Sequence, residues 1–339
     1  MKSFLKKLVE TTSPSGYESA IREVIRAEVA PLADEVRVDA LGNLIALKKG
    51  RDQNGGQKIM LAAHIDEIGI IVTHVDDNGF VRFQPVGGVR TLNCVGGRVR
   101  FLNGVQGVIG SERLEDPQRV PAFERLYIDL GVQERASCPV KVGDVAAFER
   151  PFLDLGDRLV AKSMDDRIGA YVLVETLRQF STGNLQTPHQ LYFVFSTQEE
   201  VGLRGATTAA FGLDPDLGLS VDVTGSGDTP KGLVMDVYLG KGPAIKVRDG
   251  GMLSDPRVVR WMVDGAEKAG LPYQLEVLEG GTTDARAMQL TRAGVPVGCL
   301  SIPCRYIHSP SEMVDFNDVQ NGIKLLAELM SKPVNLADL

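Results

Sequence analysis

The chain has 339 residues, of which 43% are hydrophobic and 24% are charged, and its formal net charge is −7. This composition is typical of a globular protein with a full-sized core, and the length favours two domains over one. The acidic balance, without any block of Lys or Arg, argues against a nucleic-acid partner, and no segment is expected to span a membrane.

Before residue 69 the pattern predicts two helices and three strands. Apolar residues at positions 4, 5, 8 and 9 share one helical face, and a second helix is predicted near residues 18–29. Short strands follow at about 35–39 and 43–48. The segment KIMLAAH, residues 58–64, is a continuous apolar run, which is typical of a central strand in a sheet.

Residues 69–162 differ from both flanks because they consist of short β-rich segments separated by glycines, such as IGIIVTHV and GRVRFLNGVQGVIG. No helix of any length is predicted among them. This pattern favours a small β-barrel or sandwich. We therefore predict an inserted β-rich domain over residues 69–162.

After residue 163, helices and strands alternate. The predicted helices lie at 168–180, 204–211, 256–269 and 284–290, the strands at 190–196, 217–222, 273–278 and 296–301, and DFNDVQNGIKLLAELM closes the chain as a helix. This order predicts an α/β fold with a mostly parallel sheet flanked by helices. Residues 1–68 and 163–339 then form one α/β domain that the β-rich domain interrupts.

The cysteines predict a reducing environment. Cys94, Cys138, Cys299 and Cys304 form no CxxC pair, and four thiols do not make a disulfide framework in a chain of this length. The amino terminus has no apolar core of signal-peptide length. We therefore expect a cytoplasmic protein.

Residues with metal-binding chemistry follow the predicted strands. His64 ends KIMLAAH, and Asp66 lies two residues further on, where an extended chain places it on the same face. A carboxylate there can accept the second N–H of the imidazole and fix the tautomer of a metal ligand. Taken alone, this pair is at least as often a structural hydrogen bond.

Two adjacent carboxylates, Asp165 and Asp166, precede the helix predicted from about residue 168. Asp is a preferred helix cap, and one Asp is enough for a cap. The second carboxylate is therefore available, and its two oxygens can bridge two metal ions. The residues themselves leave open which of the two does so.

The stretch FVFSTQEEVGLRG, residues 193–205, ends an apolar run with Glu199 and Glu200. Adjacent residues at a strand end face opposite ways, so that one glutamate can bind a metal while the other takes a proton from water. Asp222 ends another apolar strand, and His308 follows a further one. Two histidines and three carboxylates at separate strand ends are the ligand types of a two-zinc hydrolytic site.

Charge supports the same interpretation. Three carboxylates and one bridging hydroxide balance two divalent ions, whereas without metal these residues would form a buried patch of repelling anions. Each residue taken singly is more often structural than functional. Their joint occurrence in chain order is what indicates a site.

Six segments between residues 62 and 313 resemble the signatures of one family: AAHIDEIG, KSMDDRIG, STQEEVGLRGA, VDVTGSGDTP, GGTTDA and CRYIHSPSEM. In this order they resemble the cytoplasmic glutamyl and tetrahedral aminopeptidases, dinuclear-metal peptidases that include bacterial deblocking aminopeptidases. The inserted β-domain of that family falls where the pattern predicts one here. The chain has VDVTGSG where the family more commonly has VDVTHA, and the replaced His is not a ligand in the family.

The resemblance implies roles for nine residues. The metal ligands fall on His64, Asp165, Glu200, Asp222 and His308. Asp165, rather than Asp166, is the bridging ligand by analogy with the first Asp of the family's segment. Glu199 falls on the general base, Asp66 on the residue that orients His64, and Thr283 and Asp284 near the amino terminus of a bound substrate.

The resemblance also implies the reaction and the partners. It implies an aminopeptidase that removes N-terminal residues from short peptides through a metal-bridging hydroxide. Each subunit would hold two divalent ions, Zn²⁺ or Co²⁺, with Mn²⁺ as a further option. A homo-oligomer, namely a dodecamer, is implied, with the α/β domain catalytic and the inserted domain serving assembly and substrate access. The preferred N-terminal residue is not readable from the sequence.

Two other interpretations remain. A metal-dependent deacylase or a glycosidase-type hydrolase could use Glu199 or Glu200, but a metal-free glycosidase leaves His64 and His308 without a role. A non-catalytic metal-binding subunit would need no base beside its ligands. Sensitivity to chelators and an assay of amino-acid release separate these interpretations.

Overall fold

The computed structural model describes residues 2–51, 56–116, 118–182 and 185–334. Within these ranges the α-helices are α1 (Lys2–Glu10), α2 (Ser19–Val29), α3 (Met164–Ser181), α4 (Arg204–Leu213), α5 (Pro256–Lys268), α6 (Asp284–Gln289) and α7 (Phe316–Met330). The strands are β1 (Glu35–Val38), β2 (Leu44–Lys48), β3 (Lys58–His64), β4 (Gly69–Val75), β5 (Val81–Val86), β6 (Arg98–Phe101), β7 (Gln106–Ser111), β8 (Leu126–Asp129), β9 (Val145–Phe148), β10 (Leu153–Asp154), β11 (Arg158–Ala161), β12 (Gln190–Ser196), β13 (Leu217–Thr224), β14 (Ala244–Arg248), β15 (Gln274–Val277), β16 (Val297–Arg305) and β17 (Glu312–Asp315).

Eleven strands form one mixed sheet in the order β1-β2-β12-β3-β13-β16-β17-β11-β10, with β14 and β15 attached beside β16. The four central strands β12, β3, β13 and β16 pair in parallel, and the strands towards both edges pair antiparallel. Every residue of β13 is buried. A strand between two neighbours and under helices on both faces needs apolar residues throughout, which explains the continuous apolar runs.

Helices cover both faces of this sheet. The apolar faces of α1, α2, α3, α5 and α7 pack into one core cluster, to which Leu8, Tyr171 and Leu326 belong. On the opposite face α4 and α6 pack through Ala210 and Met288. The predicted α/β class with flanking helices is confirmed, and the sheet is mixed where a mostly parallel one was predicted, since the strands outside its centre pair mainly antiparallel. None of the helices in the described residues has the length and apolar character needed to cross a membrane.

The strands between β3 and β10 form a closed antiparallel barrel in the order β4-β5-β8-β7-β6-β9. Side chains alternate along its strands, so that in β6 Val99 and Phe101 are buried while Arg98 and Arg100 are not. Closure leaves the barrel without free strand edges. The predicted inserted barrel is therefore confirmed.

The end of the inserted region is marked by β10 and β11, which pair within the large sheet through β17. The strands of the barrel itself lie between Gly69 and Phe148. The division of the chain into functional domains at residues 68 and 163 stays a prediction.

Candidate active site

The predicted metal ligands meet at one edge of the large sheet, where the central parallel strands end. His64 is the last residue of β3, Asp222 lies near the end of β13, and Glu200 and His308 follow β12 and β16. Asp165 arrives from the start of α3. The carboxyl ends of parallel strands are where α/β sheets bind ligands, and the order of the strands brings these five residues together.

Asp165 belongs to two groups of residues that could each hold a metal ion. One group contains His64 and Asp222, the other contains Glu200 and His308, and the ligand atoms within each group lie within 4.8 Å of one another. Asp165 Oδ1 lies 2.9 Å from His64 Nε2, and Asp165 Oδ2 lies 3.3 Å from His308 Nε2. A carboxylate that offers one oxygen to each group has the arrangement of a bridging ligand.

Asp166 has different contacts. Its Oδ1 accepts a hydrogen bond from the amide of Gly169 at 3.0 Å, which is the contact of a helix cap. The backbone at Asp165 and Asp166 is not helical, although both lie within α3. The two adjacent carboxylates therefore divide between the site and the helix start.

The two adjacent glutamates lie in the turn after β12, because this strand ends at Ser196. Glu199 Oε2 lies 3.8 Å from His64 Nε2, and Glu200 Oε2 lies 3.2 Å from His308 Nε2. The side chains thus face different histidines. The conformation of the turn, rather than the alternation of a strand, separates them.

Asp66 lies on the far side of His64 from the two groups. Its Oδ1 is 3.4 Å from His64 Nδ1, which is longer than an ordinary hydrogen bond, and it is fully buried. Burial raises the pKa of Asp66, but the contacts with His64 and Ser15 outweigh burial, and its pKa lies below the usual value. Asp66 is therefore an anion beside the ring nitrogen that does not face Asp165.

Glu312 is a site residue that the sequence analysis did not single out. Its Oε2 accepts from the amide of Asp165 at 2.9 Å, and its Oε1 accepts from the amide of His308 at 2.8 Å. The side chain is 1% exposed. It therefore joins the backbones of two ligands that lie far apart in the chain. Its position four residues after His308 in CRYIHSPSEM was the only signal.

The barrel reaches the site through Gly87 and Gly88, which follow β5 and which the sequence analysis also missed. A Cβ atom on Gly88 would lie 2.3 Å from His308 Nδ1, and one on Gly87 would lie 3.1 Å from Glu200 Oε2. In addition, Asn93 Nδ2 donates to the carbonyl of His308 at 3.1 Å. The chain therefore packs its backbone directly against two of the predicted ligands.

The predicted substrate residues lie beside the same cluster. Thr283 caps α6 by accepting from the amide of Ala285, and its hydroxyl lies 3.0 Å from that of Ser220. Asp284 accepts from the Ser196 hydroxyl through Oδ2, while its buried Oδ1 has no hydrogen-bond partner among the described residues. Neither residue belongs to the two ligand groups.

Burial and crowding set the protonation of the cluster. Burial is the main reason why the pKa values of Asp222 and Glu199 lie well above the ordinary range. For His308, burial lowers the pKa, but Asp165 and Glu200 outweigh it and raise the pKa to about 11. Burial also raises the pKa of Asp165, yet both histidines outweigh it and lower the pKa below its usual value. Such a crowded set of carboxylates and imidazoles is one that cations fit.

A cavity of about 950 Å³ opens onto the cluster. Its wall includes both histidines, the apolar side chains of Leu203, Phe211 and Leu290, and the cations of Lys246 and Arg286. This volume is in the range of pockets that bind small-molecule ligands.

Comparison with known proteins gives consistent matches along the chain. A sequence model of the M42 glutamyl aminopeptidase family matches residues 42–325. The lysyl aminopeptidase of Pyrococcus furiosus is 36% identical over 344 residues, which cover 97% of this chain and 96% of that protein.

Solved structures are similar over the same length. The TET1 peptidase of Pyrococcus horikoshii, described as able to assemble into a tetrahedron or a large octahedral shell, has a TM-score of 0.87 at 33% identity, over 98% of this chain and 99% of that one. A structure from Thermotoga maritima described as an endoglucanase has a TM-score of 0.81 at 34% identity, over 96% of each chain.

Proposed function

The chain belongs to the M42 glutamyl aminopeptidase family and is an aminopeptidase, and from that premise we propose that it removes the first residue of short peptides with two divalent metal ions and Glu199 as the general base. The observation that carries this proposal is the position of Asp165 between two histidines, each of which also faces one of the adjacent glutamates.

We assign one metal ion to His64, Asp165 and Asp222, and the second to Asp165, Glu200 and His308. Their nitrogen and oxygen donors suit Zn²⁺, Co²⁺ and Mn²⁺. When bound, such ions polarise a carbonyl oxygen and lower the pKa of a water molecule. The buried Oε1 of Glu200, which has no hydrogen-bond partner among the described residues, supports its role as a ligand.

Glu199 accepts the proton of the attacking water and returns it to the nitrogen of the leaving amine. Burial, reinforced by the charges of Asp222 and Asp284, raises its pKa above that of an ordinary glutamate. A base whose pKa is nearer to the working pH both takes and returns a proton efficiently. Asp66, beside His64 Nδ1, holds the imidazole so that Nε2 faces the metal position.

Thr283 and Asp284 form the end of the site that receives the free amino terminus of the substrate. Thr283 lines the cavity, and the partnerless Oδ1 of Asp284 lies buried beside it. An exopeptidase must recognise an α-amino group, and a carboxylate is the natural partner of that group when it is charged.

We further propose a homo-oligomer, with a dodecamer as its predicted size, because the related Pyrococcus horikoshii peptidase is described as assembling into a tetrahedron or a large octahedral shell, and a further similar structure as a dodecamer. In this proposal residues 1–68 and 163–339 are the catalytic domain, and residues 69–162 serve assembly and substrate access. The contact of Gly88 with His308 supports a role of the barrel at the entrance.

The cysteines are unpaired, in agreement with the predicted reducing cytoplasm.

Glu199→Gln tests the assignment of the base. The variant is expected to keep its metal content and to lose rate by the order of 10²–10⁴-fold, because only the proton acceptor is removed. Glu200→Gln is the matched control and is expected to lose metal as well as rate. Elemental analysis and release of nitroaniline from aminoacyl-nitroanilides measure both quantities. Full activity of Glu199→Gln at unchanged metal content would contradict the proposal.

Glycoside hydrolysis is a second candidate, because one similar structure is described as an endoglucanase. A metal-free glycosidase would act through two carboxylates, and chelation would leave its rate unchanged. We expect chelation to abolish peptide cleavage and expect no release of sugar from glucans. Release of an acyl group from N-acyl amino acids would instead favour the deacylase alternative.

A further inference from the structure

Residues 13–18, with the sequence SPSGYE, connect α1 to α2 and lie against the site. Pro14 forms an isolated parallel bridge with Glu67, and the amide of Ser15 donates to the carbonyl of Glu67 at 3.2 Å. Ser15 and Glu18 are buried, whereas Gly16 and Tyr17 between them are exposed. The segment therefore aims two polar side chains inwards, at the structure that follows β3 and β12.

The turn that carries Glu199 is held by side chains from three distant parts of the chain. Four consecutive amides, those of residues 197–200, donate to side-chain oxygens. These bonds run from Thr197 to Asn43 Oδ1 at 2.9 Å, from Gln198 to Glu18 Oε1 at 3.1 Å, from Glu199 to Asp66 Oδ1 at 3.0 Å and from Glu200 to Asp66 Oδ2 at 3.2 Å. Gln198 has a φ of 55°, in the left-handed region that a side chain disfavours. The turn thus depends on its acceptors to keep this conformation.

Ser15 fixes the orientation of Asp66. Its hydroxyl donates to Asp66 Oδ2 at 2.6 Å, on the oxygen that also accepts from the amide of Glu200. The other oxygen faces the amide of Glu199 and the ring of His64. Three hydrogen bonds therefore hold the carboxylate, one on Oδ1 and two on Oδ2, and the bond from the Ser15 hydroxyl opposes rotation of the group.

Glu18 acts on the same turn one residue earlier. Its Oε1 accepts from the amide of Gly16 at 2.6 Å and from that of Gln198 at 3.1 Å, and its side chain is 4% exposed. One carboxylate oxygen therefore ties the connecting segment to the residue that directly precedes Glu199.

We propose that Ser15 and Glu18 are positioning residues for the general base, because together they hold the turn at residues 197–200 through Asp66 and Gln198. This inference rests on the proposed role of Glu199. Neither residue lines the cavity. Loss of an outer partner of this kind costs roughly 10–100-fold in activity, and a displacement of about 1 Å costs a similar factor.

The experiment compares single side chains within one segment. Ser15→Ala and Glu18→Ala are expected to lower kcat by roughly 10–100-fold, with KM and metal content unchanged. Glu18→Gln keeps an acceptor oxygen and is expected to recover most of the rate. Ser13→Ala is the matched control, since the Ser13 hydroxyl is also buried but, among the described residues, its hydrogen-bond partner is the amide of Ile21, at 3.2 Å, and not a residue of the turn. It is expected to alter the free energy of unfolding without lowering kcat.

A second measurement separates positioning from a merely structural role. In the Glu199→Gln background, Ser15→Ala and Glu18→Ala should cause no further fall in single-turnover rate, because the group that they position is absent. A full additional fall there, a loss of metal, or an equal fall in Ser13→Ala would overturn the inference. If Glu18→Ala does not fold, the comparison of Ser15→Ala with Ser13→Ala still tests the inference, because each of these variants loses only one hydroxyl group. An active Glu199→Gln variant would instead refute the base itself.

Discussion

The barrel and the α/β part of the molecule differ in where they keep polar side chains. Among the described residues of the barrel, from Gly69 to Phe148, no polar or charged side chain is buried, and its interior is an apolar cluster. Its ion pairs, such as that of Arg100 with Glu149, are partly exposed. The α/β part buries many charged groups, including Asp66, Asp222 and Lys246.

This difference separates stability from chemistry. A buried charge costs free energy unless it is paired, so an apolar interior is the more stable construction. The α/β part carries that cost at the ends of its central strands, where the charges meet the cavity. Among the described residues of the barrel, Gly88 is the one that lines this cavity, and it contributes only backbone atoms.

The largest contrast is expected between a buried and an exposed ion pair. Lys246 Nζ lies 2.7 Å from Glu276 Oε1, with side chains 1% and 0% exposed, whereas Arg100 and Glu149 are 38% and 23% exposed. Lys246→Met leaves a buried carboxylate unpaired and should lower the free energy of unfolding by about 3–5 kcal/mol. Arg100→Met should lower it by about 1 kcal/mol at most. Denaturant unfolding measures both, and similar losses would remove the distinction between the two regions.

The sequence predicted those features that depend on a single helix or strand and on the spacing of its apolar residues. The apolar runs that end at His64 and near Asp222 gave the central strands and the edge at which they end, and the glycine-punctuated segments gave the barrel. The resemblance of six segments gave the family, which is confirmed. The roles of the nine site residues stay predictions, although the structure brings the five proposed ligands together.

The features that were missed depend on contacts between distant elements. Glu312 holds the amides of Asp165 and His308, and no spacing in the sequence indicates a contact across 147 positions. Gly88 lies in a segment where glycines are typical of turns, so its contact with His308 could not be distinguished from turn formation. The choice of Asp165 over Asp166 came from the resemblance alone and stays a prediction, because both residues lie at the start of the same helix.

A smaller effect is expected from pH in the metal-free protein. Burial raises the pKa of Asp284 from 3.8 to about 6. When the pH is lowered, the Asp284 carboxylate is therefore protonated at a higher pH in the folded state than in the unfolded state. Between about pH 4 and pH 6 the folded state binds more protons at this site than the unfolded state does, so the contribution of Asp284 becomes destabilising as the pH rises. The full cost above pH 6 is about 3 kcal/mol.

Asp284→Asn isolates this contribution, because the amide oxygen can still accept from Ser196. The variant should match the wild type in free energy of unfolding near pH 3.5 and exceed it near pH 7 in the absence of metal. Equal pH dependence of the two proteins, measured by denaturant unfolding after chelation, would show that Asp284 is not the group responsible.

The smallest of the three effects concerns Gly88, one of the barrel residues that contact the predicted ligands. Gly88→Ala puts a Cβ atom 2.3 Å from His308 Nδ1, so that either the histidine or the loop after β5 must move. A displacement of about 1 Å in a catalytic group costs roughly 100-fold in rate, equivalent to about 2.7 kcal/mol of barrier. Gly212→Ala in α4 is the control, because its Cβ atom meets nothing within 4 Å. Measurement of kcat/KM and metal content decides the point: an active Gly88→Ala variant would mean that the barrel leaves the chemistry entirely to the α/β part, whereas a loss of rate without unfolding would make its backbone part of the site.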